Sequence, residues 1–257
     1  MIGRTKVLFA AVTLCAAAAP AGAAVGDVIS SFAWSNARNA YRDAGYVYCV
    51  AGVNTLRAYT PGGSLVRTVT LGGLTSAGDA DHTPSGAGYF AVIQNSSYIY
   101  EYQLSTGSFV QSMYLMPGIL GGGYCPGSPY IYLHASPIVG RFTTSGSLIG
   151  SFLVSYSAGA LAASDRLNGV AGDYVVVAGR TSGATSVYTG TGSMVTTFTV
   201  PGSTLGCVCG PGYPSTSATA YWYNVSAGSS TYAYQIDLGN ATAVAPASVG
   251  RIKALYR

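Results

Sequence analysis

The chain has 257 residues, enough for one large all-β domain or two small ones, and only 8% of them are charged, about a third of the usual share. The formal net charge is +4; once Arg4 and Lys6 of an apparent leader are set aside, ten basic face eight acidic side chains. That balance is too small and too scattered for a nucleic-acid footprint. In place of charge the chain carries 35 Gly, 21 Tyr and many Ser and Thr, so hydroxyls must wet its surface and little charge opposes self-association.

Residues 1–24 read as a secretory signal peptide: Arg4 and Lys6 form the charged start, Val7 to Ala19 the apolar run, and Ala21-Gly22-Ala23 or Gly22-Ala23-Ala24 a small-residue cleavage site. The apolar run is too short to span a bilayer, and Pro20 interrupts the segment just beyond it. Leu14 before Cys15 argues against lipoprotein processing. No later stretch is long enough to cross a membrane. The sequence thus predicts an exported protein, extracellular, cell-surface or periplasmic.

The mature chain opens on Val28-Ile29-Ser30-Ser31-Phe32-Ala33-Trp34, and this outline recurs at Leu148 to Val154 and Met194 to Val200. A hairpin, aromatic strand then Gly turn then apolar strand, recurs at Thr55 to Leu71, Tyr98 to Leu115, Pro137 to Val154, Ala184 to Val200 and Tyr232 to Ala247. Its turn glycines are Gly63, Gly107, Gly146, Gly192 and Gly239, where positive φ is expected. Upstream of each hairpin lies a Tyr- and Val-rich strand, and upstream of that a Gly- and Ala-rich segment, small enough to converge on an axis. Four short strands per repeat of about 40–45 residues have the dimensions of a propeller blade.

There are five sets of inner strands but six candidate outer strands. The last, Ala241 to Pro246, lacks large apolar residues, and Pro246 cannot donate to a ladder. The reading is therefore an all-β, five-bladed β-propeller of four-stranded blades over residues 25–247. It is closed by the N-terminal strand, with Val28, Ile29, Phe32 and Trp34 pairing against Tyr232 to Asp237. A six-bladed or incomplete propeller is the alternative. Residues 248–257 are left as a tail or an extra edge strand.

The blade pattern, as in LRAYTPGGSLVRTVTL from Leu56, resembles that of extracellular β-propeller repeat proteins of the NHL-type and streptogramin-lyase-like group. The resemblance covers nearly the whole mature chain and concerns architecture. It implies a fold used by lyases, lactone hydrolases, lectins and protein-binding scaffolds, among which the fold itself does not choose.

Chemistry-bearing residues are few. The chain has one Glu, Glu101, placed on a third strand, and two His, His82 and His134, without a nucleophile elbow. His134 alternates with Tyr132 on a strand and reads as a packed residue. Asp79 and Asp81 are the nearest approach to a metal-ligand pair, with His82 on the opposite strand face. Asp43, Asp81 and Asp165 read as turn-stabilising residues rather than a ring of carboxylates at a channel mouth. No metal or cofactor is expected. Cys49, Cys125, Cys207 and Cys209 are candidates for disulfides, a bridge from Cys49 to Cys207 or Cys209 being the one that would staple the ring. Asn95, Asn224 and Asn240 head glycosylation sequons.

The expected function is that of a non-enzymatic scaffold or binding module with protein partners, including copies of itself. A glycan-binding lectin and a lyase or lactone hydrolase acting at the channel mouth are the alternatives.

Overall fold

The computed structural model describes residues 24–43, 45–94, 97–155, 158–209, 220–227 and 230–239. The leader to residue 23, the Ala241 to Pro246 strand, the 248–257 tail, and the sequon residues Asn95 and Asn240 lie outside these residues, as does the Asn224 side chain. Among the described residues the fold is an all-β propeller of four-stranded blades.

The first strand, β1 (Val28–Trp34), belongs to the last sheet. Sheet one is β2 (Tyr41–Arg42), β3 (Val47–Ala51), β4 (Thr55–Tyr59) and β5 (Leu65–Thr70), and sheet two is β6 (Ala80–Asp81), β7 (Tyr89–Gln94), β8 (Tyr98–Gln103) and β9 (Phe109–Tyr114). Sheet three is β10 (Gly121–Tyr124), β11 (Tyr130–Ala135), β12 (Ile138–Thr143) and β13 (Leu148–Leu153). Sheet four is β14 (Ala158–Leu167), β15 (Val170–Gly179), β16 (Ala184–Thr189) and β17 (Met194–Thr199). Sheet five is β18 (Ser203–Cys209), β19 (Ala220–Ala227), β20 (Ser230–Asp237) and then β1, which pairs antiparallel with β20 in the register Phe32↔Ala233 and Trp34↔Thr231.

Each sheet runs as an antiparallel meander because its strands are joined by tight turns. Three of these turns share one chemistry. In Thr60 to Ser64, Thr143 to Ser147 and Thr189 to Ser193, the Thr hydroxyl accepts the Ser amide at 3.0 Å while the Thr carbonyl accepts the Gly amide at 2.9 Å. The Gly stands at φ +89°, +89° and +97°, a region where an L side chain is strained.

The turn glycines also lock sheet to sheet. The fifth residue of each outer strand lies against the turn of the next sheet: Phe32 on Gly63, Val69 on Gly107, Met113 on Gly146, Phe152 on Gly192 and Phe198 on Gly26. A Cβ at Gly63 would sit 2.6 Å from that of Phe32, and one at Gly26 2.7 Å from that of Phe198. Gly26 precedes β1 by the same two residues that separate Gly63 from β5. It thus takes the turn place expected for Gly239, which instead packs on Asn168.

The core fills the spaces between sheets. Phe32, Trp34 and Tyr59 stack with centroids 5.5–5.8 Å apart between sheets five and one. Phe152 meets Tyr188 at 5.6 Å between sheets three and four. Innermost, β2 touches β6, β6 touches β10, β10 touches β14, β14 touches β18 and β18 touches β2. The approach is close enough to demand small residues: a Cβ on Gly121 or Gly123 would meet backbone nitrogens of β14 at 2.6 and 2.5 Å.

Candidate functional site

The inner strands turn backbone amides toward the axis, and the aspartates of sheet two answer them. Asp79 is buried, and its Oδ1 accepts the amides of Ala80 at 3.0 Å and Cys207 at 2.9 Å while its Oδ2 accepts that of Leu161 at 2.9 Å. One carboxyl therefore ties the second sheet to the fourth and the fifth. Gly206 admits it, since a Cβ there would stand 2.8 Å from Asp79 Oδ1. Burial pushes the Asp79 carboxyl well above the usual carboxylate range, and the amides of Leu161, Cys207, Ala80 and Gly122 pull against that rise.

Asp81 lies on the same axis. Its Oδ1 accepts the His82 amide at 2.6 Å, and its Oδ2 has no hydrogen-bond partner, although the amides of Tyr124 and Ala163 favour its charged form. Burial raises it, and the neighbouring Asp79 raises it further. Asp81 is thus not the turn-stabilising residue that the sequence suggests. The turn role belongs to Asp43, whose Oδ1 accepts the amides of Gly45 and Tyr46 at 2.8 and 2.7 Å. Asp165 lies across from Gly127. Among the described residues no three His, Cys, Asp or Glu side chains gather as a metal site.

His82 completes the axial layer. Its Nε2 is 3.0 Å from the Cys209 carbonyl, which can only accept, so Nε2 carries the proton. Its Nδ1 lies 3.2 Å from the Tyr41 hydroxyl, which donates to the Tyr89 carbonyl at 3.1 Å. Burial lowers His82 from 6.5 to about 4. A base held below its unfolded value contributes stability above that value and loses it as pH falls toward the folded one. Wild type should therefore lose about 3 kcal/mol relative to His82→Gln between pH 7 and pH 4. Urea unfolding of both proteins at the two pH values checks this. A gap that stays constant would mean that His82 is not held neutral.

Of the remaining candidates, Glu101 reaches the same cavity as the axial carboxyls. Glu101 is on β8, a third strand as expected, where it accepts hydrogen bonds from Gln111 at 2.7 Å and Thr83 at 3.3 Å. With Asp79, Asp81 and His82 it lines a cavity of about 100 Å³ between sheets two and three, whose apolar wall includes Ile93, Ile99, Met113 and Leu133. His134 is buried on β11, its ring nitrogens have no hydrogen-bond partner, and burial lowers it to about 4.

Cys49, Cys125, Cys207 and Cys209 are free, buried thiols, and the staple from Cys49 is not formed. Cys49 faces the space that holds Trp34 and Leu56, whereas Cys207 and Cys209 face that of Val176 and Ile236. Burial pushes the Cys49 and Cys125 thiols up to about 12, and Cys207 and Cys209 well above the ordinary thiol value.

One end of the axis opens into a larger cavity of about 260 Å³, which sequence reasoning did not find. Every sheet contributes to it: Arg38, Asp79, Leu120, Arg180 and Thr204 stand for sheets one to five. Both arginines are exposed. They sit just outside regular strands, 142 residues apart in sequence, so no local motif joins them.

No protein-family model matches the chain, and no curated protein matches it. Among solved structures it is similar to BBS1N in complex with ARL6DN, from a mercury-soaked crystal (TM-score 0.44, 12% identity), over 82% of this chain and 66% of that one. It is also similar to the Neurospora crassa Pan2 WD40 domain (TM-score 0.45, 11% identity), over 79% of this chain and 76% of that one. A lead-soaked BBS1N–ARL6DN crystal gives a TM-score of 0.45 at 12% identity, over 81% and 63%. The chain spans less than two thirds of the length of BBS1N. The propeller architecture expected from the sequence is shown; membership of the NHL-type and streptogramin-lyase-like group is not.

Proposed function

We propose that the protein is an exported, non-enzymatic propeller scaffold whose five blades close into a ring through β1 and whose perimeter binds protein, first of all other copies of itself. The observation that carries this reading is an apolar pair at the start of every outer strand. Val28-Ile29, Leu65-Val66, Phe109-Val110, Leu148-Ile149 and Met194-Val195 are all 43–63% exposed. Outer strands present unpaired backbone groups, and proteins that stay monomeric usually guard such edges with charge or Pro. Here the five outer strands hold a single charged residue, Arg67. Repeated apolar pairs favour a protein partner over a glycan. The Asp79 carboxyl, engaged by backbone amides at both oxygens, favours a scaffold over a lyase or lactone hydrolase.

The expected result is a sedimentation coefficient that rises with concentration for the wild type. The variant Val66→Lys/Val110→Lys/Ile149→Lys/Val195→Lys should remain monomeric with its fold retained, because these side chains are half exposed. A wild type that is monomeric from micromolar to millimolar concentration would remove the reading.

A further inference from the structure

We propose that the mouth of the axial channel binds a small oxyanion, a carboxylate or a phosphate, between Arg38 and Arg180, with the Thr204 hydroxyl as a third donor. This site is independent of perimeter self-association. Three observations support it. The cavity of about 260 Å³ is roomy and is walled by all five sheets, so its shape is set by the ring rather than by one loop. Arg38 and Arg180 line it, and neither side chain makes a hydrogen bond or ion pair with the described residues. Thr204 is wholly buried in its wall, and Thr204 Oγ1 has no hydrogen-bond partner among the described residues.

An unpaired buried hydroxyl costs free energy unless something outside the chain answers it. Thr204 is brought beside Arg180 by Gly159, where a Cβ would collide with the Thr204 carbonyl and stand 2.9 Å from the Arg180 Cα. Among the described residues the only carboxyl on the wall, Asp79, already engages both oxygens with backbone amides and so leaves the arginines unneutralised. Guanidinium forks match planar or tetrahedral oxyanions bidentately, and two of them on opposite sheets define a clamp.

The test uses the full mature chain. Its melting temperature is measured in inorganic phosphate and in citrate, each matched in ionic strength with sodium chloride. Saturable stabilisation by either probe is expected, and which probe acts distinguishes a phosphate from a carboxylate ligand. Arg38→Ala and Arg180→Ala should each weaken half-saturation by roughly tenfold or more, and Thr204→Val by severalfold, because each removes a donor to a charged group. The arginines are exposed, so their variants should melt like wild type in chloride. No stabilisation beyond chloride, or equal stabilisation of the double arginine variant, would overturn the proposal.

Discussion

Asp79→Asn is expected to cost about 2 kcal/mol and Asp79→Ala about 3 kcal/mol or more, measured by urea unfolding near pH 7. Asparagine preserves size and shape, so the predicted loss comes from one changed property. The carboxyl oxygens face only donors: Ala80 and Cys207 amides at Oδ1, and the Leu161 amide at Oδ2. An ionised carboxylate is accept-only and suits them all. An Asn side chain must turn its NH₂ against one of these N–H groups, which loses an acceptor and sets donor against donor. Alanine leaves three buried amides unanswered, and each such group costs about 1–3 kcal/mol unless water from the neighbouring cavity reaches it. Equal stability of Asp79→Asn and wild type would show that burial wins over the amides and that the native group is already protonated. The fourth and fifth sheets should loosen first in either variant, and faster amide exchange at Leu161 and Cys207 would report it.

The blades were legible because their signals are local. A strand of alternating side chains, a Thr-x-x-Gly-Ser turn and a second strand lie within about 20 residues, and positive φ at Gly63, Gly146 and Gly192 follows from the turn itself. The glycine run of β10 was readable in the same way, as a place where strands crowd an axis. The axial carboxyls were not. Alternation treats Asp79 to His82 as a strand with two faces, but β6 is only two residues long and all four side chains are buried. What makes Asp79 an axial tie is the arrival of amides from residues 161 and 207, and no spacing near residue 79 announces them. Composition also misled: a low-charge chain with scattered Asp residues suggests turns, and burying a carboxyl without a cation is uncommon. The Arg38 and Arg180 mouth failed for the same reason, since its parts come from different sheets.

The thiols illustrate a different limit. An exported chain with an even cysteine count suggests disulfides, yet a bridge needs two Cβ atoms at short range. Each inter-sheet space here takes its side chains from two neighbouring sheets. Cys49 on β3 and Cys207 on β18 project into separate spaces, and sequence spacing cannot reveal which space a given strand face adjoins.

Removing residues 25–34 should convert a folded protein into one that aggregates or exchanges strands, with the loss of a cooperative thermal transition. The reason lies in what β1 supplies. It pairs antiparallel with β20 from Val28 to Trp34, with one bulge between Val28 and Ser30, and the chain before it adds Gly26 N–H to the Asp237 carbonyl at 2.9 Å. It brings Trp34, buried against Tyr59, and Phe32, seated on Gly63. Losing large aromatics of this kind costs about 3–5 kcal/mol each when fully buried, against a total stability of about 5–15 kcal/mol. The deletion also bares the β20 edge, whose alternating Tyr232 and Tyr234 present a ready template for another chain. A gentler variant separates ring closure from mere decoration. Phe32, Phe152 and Phe198 occupy the same fifth position of their outer strands and press on the same kind of glycine. If β1 is an equal member of the ring, Phe32→Ala, Phe152→Ala and Phe198→Ala should each cost about 2 kcal/mol, being half buried. If β1 only lies along an already complete structure, Phe32→Ala should cost a few tenths while the other two keep their full effect. Equality of the three losses is the result that a closed ring requires, because a ring has no first blade.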